Sequence, residues 1–115
     1  MSEHEVRSYN DILRLDRKEV DLFGYYQVIP RPVHGDAVGP EDYAVVVLQD
    51  NTEVYLESFG TSQAIRDKGE RDKYNGYLVR VVGEIYRRMP TKGQGPLAPS
   101  ICDIRLIELM NDEKK

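Results

Sequence analysis

Apolar and polar residues alternate along much of this chain, which predicts a protein built mainly from β-strands. The first alternating run is Val20 to Ile29, where every second residue from Val20 is apolar or glycine. Gly24 interrupts the apolar face in the middle of this run. We expect a bulge or bend at Gly24, a feature that coils a long strand around a small sheet structure.

Four more runs predict strands, each bounded by residues that favour turns. Alternation in the third strand directs Val54 and Leu56 inward, and in the fourth strand it leaves Arg80 and Glu84 facing water. The predicted strands after the first are Tyr43 to Gln49, Glu53 to Ser58, Tyr77 to Tyr86 and Ile101 to about Leu109.

Two short helices are predicted beside these strands. One spans about Asn10 to Leu15, ahead of the first strand. The other lies between the third and fourth strands, from a cap at Thr61 or Ser62 to Tyr74, and carries opposite charges four residues apart. These charge pairs are Arg66 with Glu70, Asp67 with Arg71, and Lys68 with Asp72.

The length of the chain, 115 residues, suits one domain with one core. We expect the core to lie within residues 18–110, with flexible ends at 1–8 and 111–115. No apolar run is long enough to span a bilayer, and the start, MSEHEVRSYN, carries no apolar signal segment, so we expect a cytoplasmic protein without a membrane segment.

The order of the predicted elements is three strands, a helix and two strands, with phrases such as EVDLFGYY, VVLQDNTEVYLES and YNGYLVRVVGEIYRR in sequence. Over about Lys18 to Met110 this resembles the oligonucleotide/oligosaccharide-binding (OB) fold. Asn75, Gly76 and the step from Gly83 to Ile85 match the polar turn and the following strand of that pattern. The resemblance implies an all-β, five-stranded Greek-key barrel with a helix between strands three and four.

Two other all-β folds compete with this interpretation. SH3-like barrels usually lack a full helix at this point in the order of elements. β-Sandwiches need about seven strands, more than the pattern supplies. The OB-type barrel is therefore the fold that we predict.

Residues with catalytic or metal-binding chemistry are sparse. Two histidines and one cysteine, none at metal-ligand spacing, argue against a zinc site. Cys102 shares a predicted strand face with Ile104, so we interpret it as a small core residue. The segment TKGQGP has the wrong order for a phosphate-binding loop and leads into a strand. We therefore expect no metal, no cofactor and no enzymatic activity.

Two long loops rich in proline and glycine, Pro30 to Asp42 and Arg87 to Ser100, separate the predicted strands. In OB folds, the corresponding loops clasp a ligand that lies across strands two and three. The second loop holds three cations and no acid, although the chain has a net charge of -4. The candidate cations of the two loops are Arg31, His34, Arg87, Arg88 and Lys92.

Tyrosine is the dominant aromatic residue, with eight in the chain. Tyr25, Tyr43 and Tyr55 lie on or beside strands, where a flat ring could stack on a nucleobase. A half-buried tyrosine is also an ordinary feature of a strand.

Two non-catalytic functions remain open. The resemblance implies binding of single-stranded DNA or RNA through the tyrosines and the loop cations. The acidic net charge, with Glu53 and Glu57 directed outward, favours a protein-interaction or regulatory subunit that uses the same face or an edge strand.

Overall fold

The computed structural model describes residues 4–29, 43–57, 66–88 and 98–114, with side chains described as far as residue 110. It is an all-β protein with one six-stranded sheet and, within these ranges, two short helices. The elements are β1 (Glu5–Val6), α1 (Tyr9–Leu15), β2 (Glu19–Ile29), β3 (Tyr43–Val47), β4 (Glu53–Leu56), α2 (Lys68–Tyr74), β5 (Tyr77–Tyr86) and β6 (Ser100–Lys114).

Five of the strands form a closed ring of hydrogen-bonded neighbours. β2 pairs with β3 and β3 with β4, both antiparallel, and β4 then pairs in parallel with β6. β6 is antiparallel to β5, which pairs with the first part of β2 and completes the ring. The sixth strand, β1, is parallel to β2 and was not predicted, because two residues are too few to show an alternating pattern.

β2 pairs with two strands of the ring, and the two pairings overlap at its centre. Its first part pairs with β5, its last part with β3, and Tyr25 pairs with both Leu78 and Val47. The ladder with β5 runs through Gly24 without a register shift, so there is no bulge at Gly24, and the bend that was the other expectation stays a prediction. A glycine is needed here because a Cβ atom would lie 2.5 Å from the carbonyl oxygen of Val47.

The core lies inside the ring and is filled mainly by alternate residues of β2, β3, β4 and β5, with Ile101 from β6. Val20, Leu22 and Tyr26 of β2 belong to it, as the alternation predicts. Val6 and Ile12 are also fully buried in this core. The core therefore includes residues before 18, and the segment 1–8, predicted to be flexible, contains β1, which pairs with β2.

Helix α2 is shorter than predicted within the described residues, since it begins at Lys68 with Asp67 as its cap. The Asp67 carboxylate accepts from the Gly69 amide at 3.0 Å, so it satisfies a backbone donor instead of pairing with Arg71. The caps predicted at 61 and 62 lie outside the described residues. Lys68 and Asp72 form the predicted ion pair, at 2.8 Å.

A bulge in β6 changes which face its residues occupy. The register between β5 and β6 shifts after Val82, and Asp103 has a positive φ of 51°. Cys102 is buried, but it lies outside the core cluster, whereas Ile104 packs against that cluster. The prediction that both residues share a face is wrong because the bulge lies between them.

The end of β6 also differs from the sequence expectation. Residues 111–114, predicted to fray, continue the strand. Neither helix of the described part of the chain has the length and apolar content needed to cross a membrane.

Candidate ligand-binding face

The side of β2, β3 and β4 that faces away from the core is called the outer face here. Strand alternation places Tyr43, Val45 and Val47 of β3 on it, because Ala44 and Val46 point into the core. The same alternation adds residues of the two neighbouring strands. These are Phe23, Tyr25, Gln27 and Ile29 of β2, and Glu53 and Tyr55 of β4.

Two of the predicted site residues, Tyr43 and Tyr55, are in contact on the outer face. Their ring centroids are 6.2 Å apart and the rings are nearly perpendicular, at 89°. This edge-to-face arrangement is a favoured geometry for aromatic pairs. Val45, the residue opposite Tyr55, is fully buried although it lies outside the core cluster. The tyrosines therefore belong to an apolar patch.

The surroundings of Tyr55 favour the neutral form of its hydroxyl. Partial burial raises the pKa of the Tyr55 hydroxyl, and the nearby carboxylate of Glu53 raises it further. A neutral ring with an uncharged hydroxyl suits stacking against a flat ligand, and the hydroxyl keeps its ability to donate a hydrogen bond.

Both long loops return to the sheet beside this tyrosine pair. Tyr43 is the first residue of β3, directly after the first loop. The backbone amide of Tyr55 donates to the carbonyl of Pro99, near the end of the second loop, at 2.9 Å. β3 and β6 run in opposite directions, so their first residues, Tyr43 and Ser100, are reached from opposite ends of the sheet.

The third predicted tyrosine, Tyr25, lies on the same face but borders a separate cavity of about 110 Å³. Phe23 and Arg7 line this cavity as well, and the Arg7 guanidinium lies 4.1 Å from the centroid of the Phe23 ring. Neither was predicted as a site residue. Phe23 could have been found, since it has the same strand parity as Tyr25, whereas Arg7 reaches the face only through the pairing of β1.

The cations Arg87 and Arg88 follow the end of β5 and are exposed. Tyr86, directly before them, pairs with Ser100, and Ser100 pairs with Tyr55. Two strand spacings, roughly 10 Å, therefore separate Tyr55 from the strand that leads to these cations. β6 lies between them and β4, and the backbone amide of Arg87 donates to the Asp16 carboxylate at 2.8 Å.

Carboxylates compensate much of the positive charge near this face. Arg80, predicted simply to face water, forms ion pairs with Asp21, at 3.0 Å, and with Glu108. Glu53 is exposed beside Tyr55. Among its described residues the face therefore combines aromatic surface with the negative charge of Glu53.

Three predicted site residues, Arg31, His34 and Lys92, lie outside the described residues. Within the described ranges, no group of three or more histidine, cysteine, aspartate or glutamate side chains could hold a metal ion. Comparison with known proteins finds no matching family model, no matching curated protein and no matching solved structure.

Proposed function

We propose that the chain is an OB-type five-stranded Greek-key barrel whose role is binding and not catalysis. The order of the ring supports this fold, since β4 and β6 are parallel while the other ring neighbours are antiparallel. The position of α2 between β4 and β5 matches the resemblance as well. In this proposal β1 is an addition to the barrel.

The register around the ring supports a strongly tilted barrel. From Tyr86, the pairings through β6, β4 and β3 lead to Gln27 on β2. Continuing the direct ladder between β5 and β2 leads from Tyr86 to Arg17 instead. The two routes from Tyr86 therefore reach different positions on β2. This difference is the stagger between strands that a closed, tilted sheet requires.

The proposed ligand is single-stranded DNA or RNA, bound across the outer face. The observation that carries this proposal is the Tyr43–Tyr55 pair, which lies between the returning ends of the two long loops. Base stacking on an aromatic side chain contributes about 1–3 kcal/mol per base. Tyr25 would extend the stacking surface along β2.

Phosphate contacts are assigned to the loop cations. Arg87 and Arg88 flank the face, and Arg31, His34 and Lys92 complete the proposed set. Because the chain has a net charge of -4, long-range attraction to a polyanion is weak, so we expect the stacking contacts to supply a large share of the affinity.

Fluorescence anisotropy with labelled single strands of DNA and RNA at low salt tests the proposal. We expect Tyr55→Ala and Tyr43→Ala each to weaken binding by about 5-fold to 100-fold, the equivalent of one lost stacking contact. Tyr9→Ala is the matched control, since Tyr9 is 36% exposed on α1 and not on the outer face. No binding by the unaltered protein, or equal losses in all three variants, would remove the proposal.

A protein partner is the second candidate for the same face. The exposed carboxylate of Glu53 beside Tyr55 favours it, because this charge repels phosphate while tyrosine is enriched at protein interfaces. A protein that copurifies with the chain and is lost on Tyr55→Ala, together with no response to single strands, would select this candidate over nucleic acid.

A further inference from the structure

The outward edge of β6 carries no neighbouring strand beyond Ile101 among the described residues. β4 pairs with β6 only through Tyr55 and Leu56. Just beyond this ladder Glu57 and Asp103 have positive φ, 76° and 51°, so both backbones leave the extended conformation there. Within the described residues, most of β6 therefore has β5 on one side and no paired strand on the other.

Backbone groups on this edge point toward α2. The Tyr74 hydroxyl donates to the carbonyl oxygen of Ile107 at 3.0 Å, so that carbonyl points away from β5. In an antiparallel ladder the amide and carbonyl of one residue point the same way, and the direction alternates along the strand. The amides of Ile107 and Leu109 therefore face the edge, where an added strand could accept from them.

A groove of about 390 Å³ runs between this edge and α2. The helix contributes Gly69, Lys73 and Tyr74, and the strand contributes residues 104–107. Gly69 leaves the helical wall without a side chain at that point. Leu106, on the strand side, is 41% exposed, so the groove offers apolar surface beside the backbone donors.

The charge of the groove is positive, in contrast to that of the whole chain. Arg66 and Glu70 bind each other through two contacts, at 2.8 and 2.9 Å, and so neutralise each other. Lys73 and Arg105 supply the excess charge. Arg105 also pairs with Glu19, but this pair is highly exposed and so contributes little.

We propose that this groove binds an extended acidic peptide segment of a partner protein, which adds to β6 as a further strand. Strand addition in a groove between a sheet edge and a helix provides affinity through backbone hydrogen bonds and selectivity through alternate side chains. Here Leu106 would contact an apolar side chain, while Lys73 and Arg105 would attract carboxylates. The site lies on β6 and α2, apart from the outer face, and does not depend on nucleic acid binding.

Titration of the full chain with a short labelled peptide that alternates valine with aspartate tests this site. Matched peptides carry lysine in place of aspartate, or N-methylated backbone amides. We expect binding of the acidic peptide, with changes in the amide resonances of Arg105, Ile107 and Leu109. Binding should weaken by about 10-fold or more in the double variant Lys73→Glu/Arg105→Glu.

Arg14→Glu is the control, since Arg14 is an exposed cation on α1, away from the groove, and it should leave peptide affinity unchanged. The proposal is overturned if the acidic peptide does not bind at about 1 mM, or if the lysine or N-methylated peptide binds equally well. It is also overturned if the double variant keeps full affinity, or if a groove-dependent dimer shows that a second copy occupies the edge. Amide changes confined to Tyr25, Tyr43 and Tyr55 would assign the peptide to the outer face, which also overturns it.

Discussion

The buried hydroxyl of Tyr26 donates a 2.7 Å hydrogen bond to Oε2 of Glu70, which joins the centre of β2 to α2 across the interior of the protein. Burial, followed by the Glu70 carboxylate, raises the pKa of Tyr26 far above its ordinary value. Arg66 holds the same carboxylate. Since α2 buries none of its residues completely, this network is a main attachment of the helix.

Tyr26→Phe should destabilise the protein by about 1–3 kcal/mol, because the ring is kept while a donor to a partly buried carboxylate is lost. The measurement is the free energy of unfolding in urea. Tyr9→Phe, at an exposed tyrosine on α1, is the control and should change stability by less than about 0.5 kcal/mol. Similar effects of the two substitutions would contradict the role assigned to the Tyr26–Glu70 bond.

Gly24→Ala should destabilise the protein by about 1–3 kcal/mol, since the new methyl group would meet the Val47 carbonyl oxygen at 2.5 Å and force the backbones of β2 and β3 apart. Gly69→Ala is the matched control. Its methyl group would meet only the movable Asp67 side chain, at 2.9 Å, within a helix that favours alanine over glycine. Thermal unfolding of both variants tests this. Equal decreases in the midpoint temperature would show that the close approach at Gly24 is unimportant.

The stability of the protein should fall as the pH rises from 10 toward 12. The hydrogen bond to Glu84, followed by burial, raises the pKa of Tyr86 from 10.0 to about 12. The folded state therefore keeps a proton that the unfolded chain loses, so the stabilisation is complete below pH 10 and is lost through this window. Unfolding in urea at increasing pH measures the effect.

In that experiment Tyr86→Phe should reduce the loss of stability at alkaline pH. It should not abolish this loss, since the pKa of Tyr26 is raised as well. Tyrosinate absorbance, followed in parallel, should show delayed ionisation in the folded protein. If the stability of Tyr86→Phe and of the unaltered chain falls equally between pH 10 and 12, groups other than Tyr86 cause the fall.

If single strands bind as proposed, Arg87→Gln and Arg88→Gln should each lower the salt dependence of binding. Each phosphate contact removed should reduce the slope of log affinity against log salt by about 0.7. Arg14→Gln, on α1, is the control and should keep the original slope. Unchanged slopes in all three variants would exclude Arg87 and Arg88 as phosphate contacts while leaving the stacking tyrosines untested by this measurement.

Period-two alternation was sufficient to predict the five ring strands, because each of them has one face in the core and one face outside it. The third predicted strand illustrates this: Val54 and Leu56 are buried, and Tyr55 between them lies on the outer face. The position of Tyr25, Tyr43 and Tyr55 on one face followed from the same parity, although only the register shows that two of them touch.

Features that depend on contacts between distant segments were not predicted. β1 gains its structure from β2, and Arg7 reaches Phe23 only because of that pairing. Alternation from Ile101 places Cys102 off the core face, and the irregularity at Asp103 lets Ile104 pack against the core, because β6 has two more residues than β5 between the Glu84–Cys102 and Val82–Leu106 pairs.

The amino-acid sequence by itself determined the all-β character, the order of the strands and the inward or outward direction of most side chains, because these depend on local alternation. Only the tertiary structure decided which strands are neighbours, where their ladders end and which groove lies beside β6. Those features arise from the register between segments far apart in the chain, which a local pattern does not encode.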